Sequence, residues 1–200
     1  AQENAREDAA LAPPLVVFEP GPEYAERLFQ GIPGIERAPN GRLWATWYGG
    51  GEGEGPHNYC MLVTSGDDGK TWSDLKVVVD VPGDVRTFDP FLWVDPTGKL
   101  WWFWAQGFSH WDGRAGVWAM TTDEPGEADP EWSEPRRICD GIMMNKPTAL
   151  SSGAWLLPEL PPRGVLTSIE ADAHAHAPAA DAFEAMAAGP KVRAIHGDPL

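Results

Sequence analysis

The chain has 200 residues, with 15 basic and 30 acidic side chains and a formal net charge of −15. That balance disfavours attraction to phosphate backbones or anionic lipid, so nucleic acid is not an expected partner. No apolar run is long enough to span a bilayer, so no membrane insertion is expected, and the overall mixture is that of a soluble globular protein.

The sequence opens Ala1-Gln2-Glu3-Asn4, without a methionine or an apolar leader core. This reads as a mature form after signal removal or as a fragment, and the expectation is an exported protein, secreted or periplasmic. Residues 1–28 are rich in Ala, Glu and Pro and read as an N-terminal arm with one short strand at 15–18. From Ile32 the pattern changes. Strands are predicted at 32–38 and 43–48 around the tight turn Pro39-Asn40-Gly41-Arg42. A glycine-rich loop over 49–56 follows, then strands at 58–64 and 72–81 separated by a turn at 65–71.

The same order returns downstream. Strands are expected at 91–94, 100–105, 115–121 and 132–139, with the turn Asp95-Pro96-Thr97-Gly98 and a long loop running through Gly113. A third unit starts at Lys146-Pro147 and runs through Trp155-Leu156-Leu157. The echo has a fixed period, because Pro33, Pro90 and Pro147 fall 57 residues apart, each ahead of a turn and a tryptophan: Trp44, Trp101 and Trp155. A period of this size in strand-rich sequence marks a repeated supersecondary unit, and four antiparallel strands per unit is the make-up of a propeller blade. All eleven tryptophans lie between Trp44 and Trp155, where large rings fill the wedge between packed sheets. Cys60 and Cys139 fall in predicted strands of different units and read as small buried hydrophobes rather than a bridge.

Beyond Glu159 the tryptophans stop and alanine recurs, through Ala171, Ala173, Ala175, Ala177, Ala179 and Ala180. This tail, 159–200, is expected to be unrelated to the blades at 29–158, as truncation or a shifted reading frame would leave it. Its His174 and His176 alternate as two ligands on one strand face would, but supporting ligands are missing and no metal or cofactor is expected.

One motif is specific. Ser65-Gly66-Asp67-Asp68-Gly69-Lys70-Thr71-Trp72 fits Ser-x-Asp-x-Gly-x-Thr-Trp, the Asp box or BNR repeat. Its logic is a hairpin in which Asp67 accepts backbone N–H bonds, Gly69 takes a positive φ and Trp72 anchors the turn to the blade. A partial copy at Thr121-Thr122-Asp123 is separated from Trp132-Ser133 by an acidic, Pro-containing insertion. With the 57-residue period, the chain resembles the sialidase superfamily over roughly residues 30 to 158. The resemblance implies an all-β, six-bladed β-propeller fold, of which about two blades and the start of a third are present. It also implies an exo-acting glycoside hydrolase with a carbohydrate substrate.

The family places an arginine immediately before the first Ile-Pro to clamp a substrate carboxylate; here that position is Gly31. The family's acid/base aspartate lies on the loop that corresponds to 49–57, where Glu52 or Glu54 stands as the catalytic candidate beside the plainer reading of a solvated acidic rim. The resemblance puts the nucleophile and later arginines in further blades. Independently, residues just before each unit's first strand are expected to line a common axial end: Gln30 and Gly31, residues 87–89, and Asn145 with Lys146. Asp89 is a further catalytic candidate there, and Arg86, Asn145 and Lys146 are candidates for substrate binding. The second unit's loop adds His110 as a possible acid/base, with Asp112 and Arg114 as binding groups. Two alternatives stay open: a non-catalytic glycan-binding propeller, and a lyase acting on uronic-acid glycans with His110 or His57 as base.

Overall fold

The computed structural model describes residues 12–108, 114–160, 166–170 and 192–195. The chain divides into two compact units, Ala1–Ile142 and Met143–Leu200.

The first unit contains two antiparallel sheets. One holds β1 (Leu15–Phe18), β2 (Gln30–Arg37), β3 (Leu43–Gly49), β4 (Tyr59–Ser65) and β5 (Val77–Asp80), in the order β1-β5-β4-β3-β2. The other holds β6 (Val85–Val94), β7 (Leu100–Phe108), β8 (Ala115–Thr122) and β9 (Arg136–Asp140), in chain order. The first sheet thus has five strands where four were expected, because Leu15–Phe18 adds to its edge against Val77–Asp80. The strand expected at 72–81 shortens to Val77–Asp80. Ser73 explains the loss: its Oγ accepts the Thr64 N–H at 3.0 Å, a side-chain bond in place of a ladder bond.

The 57-residue period has a backbone counterpart. Each sheet's first strand is broken by a bulge, between Gly31 and Gly34 in β2 and between Phe88 and Phe91 in β6. Ile32 and Asp89, 57 positions apart, both sit in the left-handed region at φ 47° and 48°. Such a conformation is strained for a β-branched residue and tolerated by aspartate. Pairing resumes on the leading side of each bulge, so β6 begins at Val85 rather than at the expected residue 91, and Arg86 lies within a strand.

Strand alternation decides what meets between the sheets. Trp44 and Tyr48 of β3, with Cys60, Leu62, Val77 and Val79, pack against Phe88, Leu92, Trp102, Trp104, Trp118 and Met120. One ring nitrogen is matched across the contact: Trp102 Nε1 donates to Thr46 Oγ1 at 2.8 Å, and Thr46 Oγ1 in turn donates to the Met61 carbonyl. Cys60 and Cys139 are both buried.

The Ser65–Trp72 turn is built around Asp67. Its carboxylate accepts from Thr71 N, Thr71 Oγ1 and Ser65 Oγ at 2.9, 2.7 and 2.9 Å, and these donors hold its pKa down at about 2. Asp68 and Gly69 both take positive φ. Trp72 departs from expectation: it is 41 % exposed and lies over Gly69 rather than in the core. With Trp47 and Arg27 it lines a groove of about 760 Å³ on the face of the first sheet opposite Tyr48. Because the folded pKa of Asp67 is depressed, its stabilisation is complete above the unfolded value near 3.9 and is lost as pH falls through about 2. Asp67→Ala is therefore expected to lower the thermal midpoint at pH 7, with the gap to the parent closing as pH drops below 3.

The insertion after Thr122 acts as a strap. Pro125 and Gly126 present carbonyls to the first sheet, accepting from Trp44 Nε1 at 2.8 Å, Arg42 Nε at 2.9 Å and Asn40 Nδ2 at 3.1 Å. Trp132 then packs edge-on to Trp44 and to Trp102. A Cβ at Gly126 would stand 2.4 Å from Asn40 Nδ2 and displace that donor. Gly126→Ala and Asn40→Ala are each expected to cost about 0.5–1.5 kcal/mol, and the double variant no more than one of them, as a double-mutant cycle by urea unfolding would read.

In the second unit, Thr148–Ala149 and Leu166–Glu170 flank Ala154–Leu157 in antiparallel pairing. Val192–Ile195 adds to Leu166–Glu170 in parallel.

Candidate functional site

The site lies where the start of β2 and the end of β3 meet the first half of β6, and it depends on three local devices. The first is Asn58. Fully buried, it accepts from Gly55 N at 2.8 Å and donates Nδ2 to the carbonyls of Gly50 and Gly53 at 2.8 and 2.9 Å. The glycine loop is thus a laced turn, not the flexible rim its composition suggests. Gly50 makes the lacing close enough: at φ 104°, a Cβ there would fall 2.5 Å from the His57 carbonyl oxygen. Asn58→Asp would aim carboxylate oxygen at two carbonyls. It is expected to destabilise the unit by about 1–3 kcal/mol, measured by thermal unfolding at pH 7.

The loop carries Glu54 back over β3. Glu54 Oε1 accepts from Tyr48 Oη at 2.8 Å, and Oε2 lies 3.6 Å from Arg86 Nη1. Burial, then the bond to Glu54, push the Tyr48 phenol well above its usual range, so it remains a neutral donor. Glu52, on the same loop, is exposed and points to no partner that the structure shows. The two glutamates that sequence alone left equivalent are separated here.

The second device is Thr87. Its Oγ1 donates to Val79 O at 2.8 Å and accepts Cys60 N at 3.0 Å, while its N–H donates to Asn58 O. Thr87 therefore ties the second sheet to the first and does not line the site, correcting the expectation for 87–89. Strand alternation turns its neighbours Arg86 and Phe88 the other way. Arg86 is only 5 % exposed. Its guanidinium stacks 4.0 Å over the Phe88 ring and 5.9 Å from that of Tyr48. Arg86 Nε and Nη1 find no hydrogen-bond partner among the described residues.

The third device is the bulge at Asp89. An extra residue in a strand re-aims a side chain, and here the residue re-aimed is a carboxylic acid. Burial raises the Asp89 pKa, the Arg86 cation draws it back, and the Glu54 carboxylate adds to the rise. Gln30, at the matching end of β2, accepts from Trp47 Nε1 at 2.8 Å and is exposed.

Of the other candidates, Arg114 lies beside β8 with its guanidinium 4.5 Å over Phe108. Asn145 and Lys146 belong to the second unit, where both are exposed and Asn145 Oδ1 accepts the Lys146 N–H. His110 and Asp112 lie outside the described residues, as do His174 and His176. Asn58 and Tyr48 were not singled out from sequence, and Thr87 was named there only as a lining residue. Asn58 had a local signal, an asparagine closing a glycine run; the other two are defined by contacts between sheets.

The fold agrees with known proteins. A microbial sialidase from a Hadza source shares the fold, with a TM-score of 0.50 and 19 % identity over 64 % of this chain and 31 % of that one. A protein of unknown function from Dyadobacter fermentans aligns with a TM-score of 0.48 and 16 % identity, covering 72 % of this chain and 49 % of that one. An alpha-L-arabinanase from Penicillium chrysogenum, solved with arabinobiose, gives 0.35 and 16 %, covering 72 % and 61 %. The chain spans less than two thirds of the length of each of these structures. A search of curated protein sequences returns no match. The model of the BNR repeat-like domain matches residues 37–186, which takes in both sheets of the first unit from the end of β2 onward, and the chain belongs to that family.

Proposed function

We propose that this chain contributes part of the active site of a propeller glycoside hydrolase acting on terminal sugars, with Asp89 as general acid and Glu54 as the paired carboxylate. The observation that carries the reading is Asp89 itself: a carboxylic acid on the bulge midway along β6, its pKa raised by burial, near a second carboxylate. A general acid must hold its proton near the working pH and release it to the leaving oxygen, and burial supplies that tuning. Glu54 differs in environment, being held by the Tyr48 hydroxyl and the Arg86 cation. Two carboxyl groups in unlike surroundings are what glycosidic bond cleavage uses. The fold shared with a sialidase and membership of the BNR repeat-like family support a sugar-directed site without selecting the sugar.

Because the chain spans less than two thirds of the length of the structures it matches, and is expected to be inactive or incomplete by itself, the test presents a panel of aryl glycosides and uronic polysaccharides to the full-length protein. Released aglycone is the expected result. An unsaturated product would replace hydrolysis by elimination, and saturable binding without any product would make the protein a glycan-binding module.

A further inference from the structure

Resting on the reading just given, we infer that the part of the site supplied by this chain selects an uncharged sugar and disfavours one bearing a carboxylate. Three observations carry this.

The first is what stands at residue 31. A side chain there would begin 3.1 Å from Phe29 Cζ and 3.7 Å from Tyr48 Cζ, so two aromatic rings, 5.7 Å apart, occupy the space beside Gly31. The position offers no cation, and a side chain there would have to push the Phe29 ring back by a few tenths of an ångström.

The second is the state of Arg86. Its charge is already opposed by Glu54 at 3.6 Å, its flat face is covered by Phe88, and Nε and Nη1 are shut away from solvent. Recognition of a carboxylate by arginine needs two parallel N–H groups open to the ligand. Arg86 is committed to shaping the site and holding Glu54. The other arginines near this end are also engaged: Arg27 donates to the Tyr24 carbonyl at 2.6 Å and lies toward Trp47, on the opposite face of β3 from Tyr48. Arg114 flanks β8, two strands away from β6 in the sheet order.

The third is the local charge: among the described residues, the Glu54 carboxylate lies near Asp89 and is met by the Arg86 cation. A sugar hydroxyl donates readily to the half-exposed Glu54 carboxylate. A sugar carboxylate meets like charge in a partly desolvated setting, where the repulsion is screened far less than in water.

Saturation-transfer NMR on the full chain separates the outcomes, using methyl glycosides of neutral pentoses and hexoses against those of glucuronic and N-acetylneuraminic acids. The expected result is binding of at least one neutral glycoside at least tenfold tighter than either acidic one in low salt, with the gap narrowing in 0.5 M sodium chloride, about a 4 Å screening length. Glu54→Gln should narrow it by about tenfold in low salt. An acidic glycoside bound as tightly as the neutral ones, or more tightly, overturns the inference while leaving a sugar site in place. Absence of binding by every glycoside removes the sugar reading, and the selectivity with it.

Discussion

Asp89→Asn is expected to reduce glycoside turnover by about 10²–10⁴-fold, the usual contribution of a positioned general acid, while leaving the fold intact or more stable at neutral pH. The second half follows from the direction of the shift. Burial raises the folded pKa of Asp89 above its unfolded value, so its folded form binds a proton more tightly. The stabilisation is complete below the ordinary aspartate range near 3.9 and is lost as pH rises through the raised folded value. As pH rises through the raised folded value, ionisation of the partly buried group becomes a cost that asparagine does not carry. Asparagine also suits the φ of 48° at this position. Thermal midpoints from pH 3 to 8 should show the variant gaining on the parent as pH rises. A variant that loses activity and stability together at pH 7 would make Asp89 a structural residue instead.

Trp102→Ala is expected to have the largest effect on stability, about 3–5 kcal/mol, a large share of the 5–15 kcal/mol that a domain commonly has. Trp102 is fully buried between the two sheets, with Trp104 at 5.6 Å and Trp132 at 6.2 Å, and its Nε1 donates to Thr46. Truncation removes the ring that fills the wedge and leaves Thr46 with one partner fewer. Trp102→Phe keeps most of the volume and deletes the N–H, so about 1–2 kcal/mol is expected, the scale of one buried hydrogen bond and a smaller ring. Urea unfolding followed by far-ultraviolet circular dichroism gives both values. A cost below 1 kcal/mol for the alanine variant would mean that the sheets are not joined through this residue. Because Tyr48 and Phe88 belong to the same contact, Trp102→Ala should also weaken any sugar binding at the site.

Much of the fold was legible in order and type. The period in Pro33 and Pro90 reappears as paired bulges, and the turn at Ser65–Trp72 carries the bonds that its residue types suggest. These are local matters: alternation, glycine at positive φ and an aspartate within reach of its own turn. The candidate residues Glu54, Arg86 and Asp89 were also named by position. What alternation could not decide was rank within a set of equals. Glu52 and Glu54 flank one glycine and look alike in sequence, and only Tyr48, from the neighbouring strand, distinguishes them. Thr87 sits one residue from Arg86, yet strand pleating sends one into the inter-sheet hydrogen bonds and the other towards Glu54.

The sequence by itself determined that this is a repeating, tryptophan-cored β protein with its polar candidates gathered ahead of each unit's first strand, because periodicity and turn chemistry are properties of short segments. Tertiary structure alone decided that Thr87 ties one sheet to the other and that Arg86 is spent on Phe88 and Glu54. Both depend on what the neighbouring sheet brings within a few ångströms, and burial, which sets both the direction of the Asp89 shift and the fate of a charge, exists only once the sheets have packed.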